Sequence, residues 1–162
     1  MKILFCTLNI FLLTTLSAAI PQATFTPPKD WEILSPELTP QGITLIARSE
    51  AKALFASTIN LALEETDLST SEYLLEVEKI HRSPSKHLST LGTMETSAGK
   101  MHVFQIDEKL AWADLRMLQA IIVKNNVAYV VTATTEESQF ASVITPLLES
   151  IKSFSILEGT KK

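Results

Sequence analysis

Ala120-Ile121-Ile122-Val123-Lys124-Asn125-Asn126-Val127-Ala128-Tyr129-Val130-Val131 is the stretch that decides the fold of this chain. Two apolar runs flank a polar tip, and asparagine tolerates the positive φ that a tight hairpin turn requires. The runs read as strands over residues 115–123 and 127–134. A sheet with one face in water alternates apolar and polar positions, yet here apolar residues follow one another without a break. Both faces of these strands must therefore be covered, which calls for helices on either side of a sheet.

Downstream, Phe140, Val143, Ile144, Leu147, Leu148 and Ile151 fall at helical spacing and supply one cover. The pattern predicts a helix from Thr134 or Thr135. It also predicts a kink, or two half-helices, at Pro146, whose ring nitrogen cannot donate to the Ser142 carbonyl. Phe154 and Ile156 follow as a short apolar segment against the sheet.

Upstream, residues 88–96 and 100–107 read as an earlier hairpin around Ser97-Ala98-Gly99. The second cover is announced by Ser69-Thr70-Ser71-Glu72, a capping box in which Ser69 and Glu72 satisfy each other's backbone N–H groups. Tyr73, Val77 and Ile80 form the inward stripe of that helix, with Leu74 beside it. Pro84 ends it by disfavouring helical geometry at Ser83. Still earlier, period-two alternation marks strands over residues 43–47 and 55–64, where Ile59, Leu61 and Leu63 share a face. A short strand fits residues 31–34. Pro21, Pro27 and Pro28 make residues 20–29 an extended lead.

Residues 1–19 carry a different signal. Lys2 precedes an apolar run from Ile3 to Leu16, and Ser17-Ala18-Ala19 places small residues where a signal peptidase reads them. This is the layout of a secretory signal peptide, with cleavage between Ala19 and Ile20. The run is shorter than the roughly 20 residues a membrane span needs. An uncleaved anchor is the competing reading. The only cysteine, Cys6, lies in the leader, so the mature chain of about 143 residues has no disulfide, thiolate nucleophile or cysteine metal site. The whole chain has 14 Lys and Arg against 18 Asp and Glu, net charge −4, and loss of Lys2 makes it more acidic. An acidic domain without Lys/Arg clusters is a poor ligand for nucleic acid or anionic membrane.

The segment Ala128-Tyr129-Val130-Val131-Thr132-Ala133-Thr134, then Phe140, then Leu147-Leu148-Glu149-Ser150-Ile151-Lys152-Ser153-Phe154, resembles the PsbP/DcrB-like family. So does the approach Pro27-Pro28-Lys29-Asp30-Trp31. The likeness covers the mature chain in element order and about thirty residues in motif, and those motifs are core and capping patterns. It implies an α/β fold of the α+β type: an α/β/α sandwich with an antiparallel sheet of about six strands and helices on both faces. Members of the family are mostly accessory or binding proteins, so the resemblance implies a non-catalytic partner-binding module and transfers no site residue.

Catalytic equipment is sparse. Four isolated glycines form neither a phosphate-binding loop nor a dinucleotide fingerprint, and no Gly-x-Ser-x-Gly elbow is present. His81 and His87 flank Pro84 at a spacing that matches no zinc signature; they read as a helix end, where His81 and Arg82 complement the helix dipole. His102 shares parity with Phe104 and Ile106. A hairpin symmetric about Ala98-Gly99 places Glu95 opposite it, making His102 and Glu95 weak metal candidates, with a local ion pair as the plainer reading. Glu64, Glu65 and Asp67 invite a calcium reading but lack the loop pattern. Trp31 reads as a core plug and Trp112 as either a plug or a surface contact.

These readings predict a cleaved signal peptide over residues 1–19, one domain over 20–157 and a flexible tail over 158–162. They predict a protein exported by the Sec route to the periplasm or beyond. Its expected role is that of a non-catalytic accessory protein, without cofactor, metal or nucleic acid and without stable membrane insertion after cleavage. Its partner would be another envelope or secreted protein. One alternative is a carrier of a small apolar ligand or lipid, held where the helix kinks at Pro146; a metal-dependent enzyme resting on His102 and Glu95 is the other.

Overall fold

In the computed structural model, which describes residues 22–38, 42–50 and 55–157, Asn125 and Asn126 turn the chain with φ of 53° and 60°. Two successive positive values suit the right-handed twist of the flanking strands. Those strands are β7 (Asp114–Lys124) and β8 (Val127–Glu136), preceded by β5 (Lys86–Thr96) and β6 (Gly99–Lys109). Earlier in the chain lie β1 (Ala23–Thr24), β2 (Glu32–Ile33), β3 (Ile43–Arg48), β4 (Thr58–Glu65) and helix α1 (Thr70–Ile80). Helix α2 (Phe140–Lys152) and β9 (Ser155–Ile156) close it. The expected leader, with its expected Ala19–Ile20 junction, and the expected tail lie outside the described residues.

The main sheet has seven strands in the order β2-β3-β4-β8-β7-β6-β5. Every neighbouring pair is antiparallel. The expected α/β/α layering is present, because consecutive residues of the apolar runs go to opposite faces. Ala120, Tyr129, Val131, Ile59 and Leu61 are buried together with Leu147 and Ile151 of α2. Ile121, Ala128 and Phe104 are buried with Tyr73 and Val77 of α1. The capping box of α1 is complete, with Ser69 N–H donating to Glu72 Oε2 at 2.9 Å and Glu72 N–H to Ser69 Oγ at 3.3 Å.

Four expectations need correction. Helix α2 starts at Phe140, not at Thr134 or Thr135, because the sheet and the loop before β4 claim those residues. The buried Thr135 hydroxyl bonds Ser57 Oγ at 2.7 Å, and the Glu136 carboxylate accepts from Phe55 N–H at 2.8 Å. Only a single 3-10 turn, Glu137–Gln139, separates strand from helix. Of the two outcomes expected at Pro146, the division into half-helices does not occur, because α2 runs unbroken from Phe140 to Lys152. Ile80, the last residue of α1, is 71% exposed instead of joining the inward stripe. Finally, the proline-rich lead is not merely extended: β1 pairs with β9, Ala23 opposite Ile156, and Leu157 N–H donates to Gln22 O at 2.7 Å.

Candidate functional site

The first hairpin turns at Ser97-Ala98, so Thr96 faces Gly99, Glu95 faces Lys100 and His102 faces Thr93. The expected His102–Glu95 pair is therefore displaced by two residues. A Cβ on Gly99 would sit 3.3 Å from Ile122 Cδ1, and its φ of 124° is disfavoured for other residues, so the turn settles there. Glu95 instead meets Lys100 Nζ at 3.4 Å, an exposed pair of small energetic worth. Among the described residues no group of three or more His, Cys, Asp or Glu is placed to hold a metal ion.

Two of the acidic residues before α1, Glu64 at the end of β4 and Asp67 in the connection that follows, are committed to structure. Glu64 Oε2 accepts from the Tyr73 hydroxyl at 2.7 Å, and Asp67 Oδ1 accepts from Asn126 Nδ2 at 3.1 Å. Burial, then the hydrogen bond and charge of Glu64, push the Tyr73 phenol far above its usual range. These contacts tie α1 to β4 and the connection before α1 to the β7–β8 turn.

Three surface features remain. The first is a cleft of about 690 Å³ between the end of α1 and the start of β5, where Pro84 turns the chain. It brings together the two histidines that no zinc spacing joined, His81 and His87, with Glu78, Arg82 and Lys86. Burial and then the Lys86 charge hold the His81 imidazole below its ordinary range, against the pull of Glu108. His81 Nδ1 is buried without a hydrogen-bond partner among the described residues.

The second feature is Trp112, in the loop joining β6 to β7. It is 54% exposed and rests on Phe55, ring centroids 6.2 Å apart and tilted by 40°. Leu110 N–H donates to Ala113 O at 3.0 Å and closes the loop beneath it. Lys109 N–H donates to Ser85 O at 2.9 Å, so this loop and the cleft lie at the same end of the sheet. Trp31, by contrast, packs half-buried against the main core, as a plug does.

The third is an apolar groove of about 610 Å³ between the β1–β9 pair and the start of β3, lined by Ala23, Ile43, Leu45, Leu63 and Leu157 with Thr24 and Thr44. It lies away from Pro146, where a gap was expected. The groove is not legible in the sequence, because residues far apart along the chain build it, whereas the cleft is formed within residues 78–90 where the chain turns back at Pro84.

Behind these surfaces sits a part-buried network around Arg116. Its Nε donates to Asp107 at 2.6 Å, its terminal nitrogen to Glu137 at 2.8 Å, and its guanidinium lies 5.0 Å from the centre of the Phe140 ring. This ties the start of α2 to the sheet.

No family model matches the chain, and neither does any curated protein. Solved structures do. LpqN of Mycobacterium tuberculosis, described as involved in cell envelope biogenesis, superposes with a TM-score of 0.62 at 12% identity, over 86% of this chain and 85% of that one. Protein PA94 of Pseudomonas aeruginosa, of unknown function, gives 0.59 at 11% identity over 78% and 90%. Cyanobacterial PsbP of Synechocystis gives 0.56 at 10% identity over 88% and 96%. At these identities the likeness concerns the fold, and the fold is PsbP-like.

Proposed function

We propose that this protein is an exported accessory protein of the cell envelope that acts by binding another envelope or secreted protein, without catalysing a reaction. The observation that carries the reading is Trp112, a large aromatic left half in water on the loop joining β6 to β7 and backed by Phe55. Tryptophans in such settings are enriched among the few residues that dominate interface energy. The leader sequence supports export, and the structural likeness to an envelope-biogenesis protein supports the compartment. Among the described residues no helix is long and apolar enough to cross a membrane.

The test is a photo-crosslinking amino acid at position 112 in native cells. A discrete adduct is expected, and Trp112→Ala should weaken the purified complex about 30-fold or more, roughly 2 kcal/mol, with little change in melting temperature. Background labelling alone, across growth conditions, would remove the reading.

The apolar groove favours a second reading, a carrier of a small apolar ligand. Its size lies within the range of about 300–1,000 Å³ typical of ligand pockets. Leu157, 45% exposed at its rim, is the residue to change. A fluorescent fatty acid should bind saturably to the wild type and about tenfold more weakly to Leu157→Glu, where a carboxylate must be desolvated. Absence of saturable binding to the wild type ends this reading.

A further inference from the structure

We infer that the cleft between the end of α1 and the start of β5 receives an acidic segment of the protein partner, an inference that rests on the partner-binding reading above. Charge distribution is the first reason. The chain is net acidic, yet Arg82, Lys86 and His87 line this cleft against Glu78 as the one acidic lining residue among those described, while burial keeps His81 towards its neutral form.

The plainer account is that His81 and Arg82 complement the negative end of α1, where His81 N–H caps the Val77 carbonyl at 3.1 Å. That account covers the α1 side; on the β5 side Lys86 has Glu108 as its partner, and the exposed His87 is left unexplained. The competing carboxylates are largely spoken for or weakly engaged. Asp107 stands opposite His87 but is held by Arg116 at 2.6 Å. Glu108 holds Lys86 at 3.4 Å, and Glu78 reaches Arg82 only at 4.0 Å.

Arg82 is 77% exposed and the cleft is open to water. A lone small anion gains little from such donors, because solvent screens each contact. A segment with several carboxylates engages α1 and β5 together, and complementary charge speeds and orients its approach. Trp112 lies at the same end of the sheet, so one partner can reach both.

The experiment uses the mature protein, a fluorescent hexaglutamate peptide and the double variant Arg82→Glu/His87→Glu, whose side chains project into solvent. Hexaglutamate should bind the wild type saturably, shift backbone amide resonances of residues 78–90, and lose affinity as salt rises. The double variant should bind about tenfold or more weakly while melting like the wild type, and should reduce the adduct formed at position 112. Equal affinity in the double variant, or resonance shifts elsewhere, overturns the inference. An undiminished adduct in the double variant overturns it too, yet leaves partner binding standing, whereas no adduct in the wild type removes both. Binding to vesicles of anionic phospholipid in place of the peptide overturns it in favour of a membrane surface.

Discussion

Phe154→Ala is expected to destabilise the domain by about 3–5 kcal/mol, the range for truncating a fully buried aromatic side chain. Phe154 is entirely buried and packs on Tyr129 with ring centroids 5.8 Å apart. Its backbone is equally engaged. The N–H donates to Ile151 O at 3.1 Å, and the carbonyl accepts from Ser97 Oγ at 3.1 Å. One residue therefore joins the end of α2, the β5–β6 turn and the approach to β9. A typical domain holds only about 5–15 kcal/mol in total, so the variant should sit near its unfolding threshold at moderate temperature. Urea denaturation monitored by circular dichroism measures this. Phe154→Leu should recover more than half of the loss, since most of the apolar volume returns. A loss below about 1 kcal/mol for the alanine variant is incompatible with a core position.

Arg116→Ala should cost about 2–3 kcal/mol, and the cost should depend on pH. The substitution removes two charge-assisted hydrogen bonds and the contact with Phe140, and leaves Asp107 part-buried without its cation. Partial burial pushes the Asp107 carboxyl up, but hydrogen bonds from Arg116 and Gln105 and the Arg116 charge outweigh it, so the group lies below its usual range. A depressed carboxylate contributes stability above its unfolded value, about 3.9, and loses it as pH falls through the folded value. Wild type and variant should therefore differ fully at neutral pH and converge below about pH 4. A gap that persists unchanged to pH 2 would show that packing on Phe140, not the ion pair, holds α2 in place.

Features with a short sequence period, or a fixed local geometry, were readable. Ser69 and Glu72 announce the start of α1, Asn125-Asn126 announce a turn, and uninterrupted apolar runs announce a two-sided sheet. The errors arise where tertiary partners outbid local preference. Thr134 and Thr135 look like helix caps, yet Ser57 and strand pairing hold them in β8. Ile80 fits the stripe by spacing, but the helix ends there and its side chain stays in water. The hairpin register of β5 and β6 is not fixed by composition, because a two-residue turn at Ser97-Ala98 and one centred on Ala98-Gly99 look alike in sequence. Two-residue strands such as β1 and β9 have no period to detect. At the surface, the short link from Ile80 to Lys86 keeps His81 and His87 close, but spacing alone does not show that they line one cleft.

The pairing of β1 with β9 also sets an order of events. Ala23 and Ile156 lie at opposite ends of the described chain, so a polypeptide made or passed through a pore amino-terminus first holds one half of this contact long before the other half arrives. Loop closure over such a separation is slow compared with local hairpins. The β5–β6 and β7–β8 hairpins can form as they emerge, whereas β1 waits for β9, and this contact closes only when Ile156 has arrived.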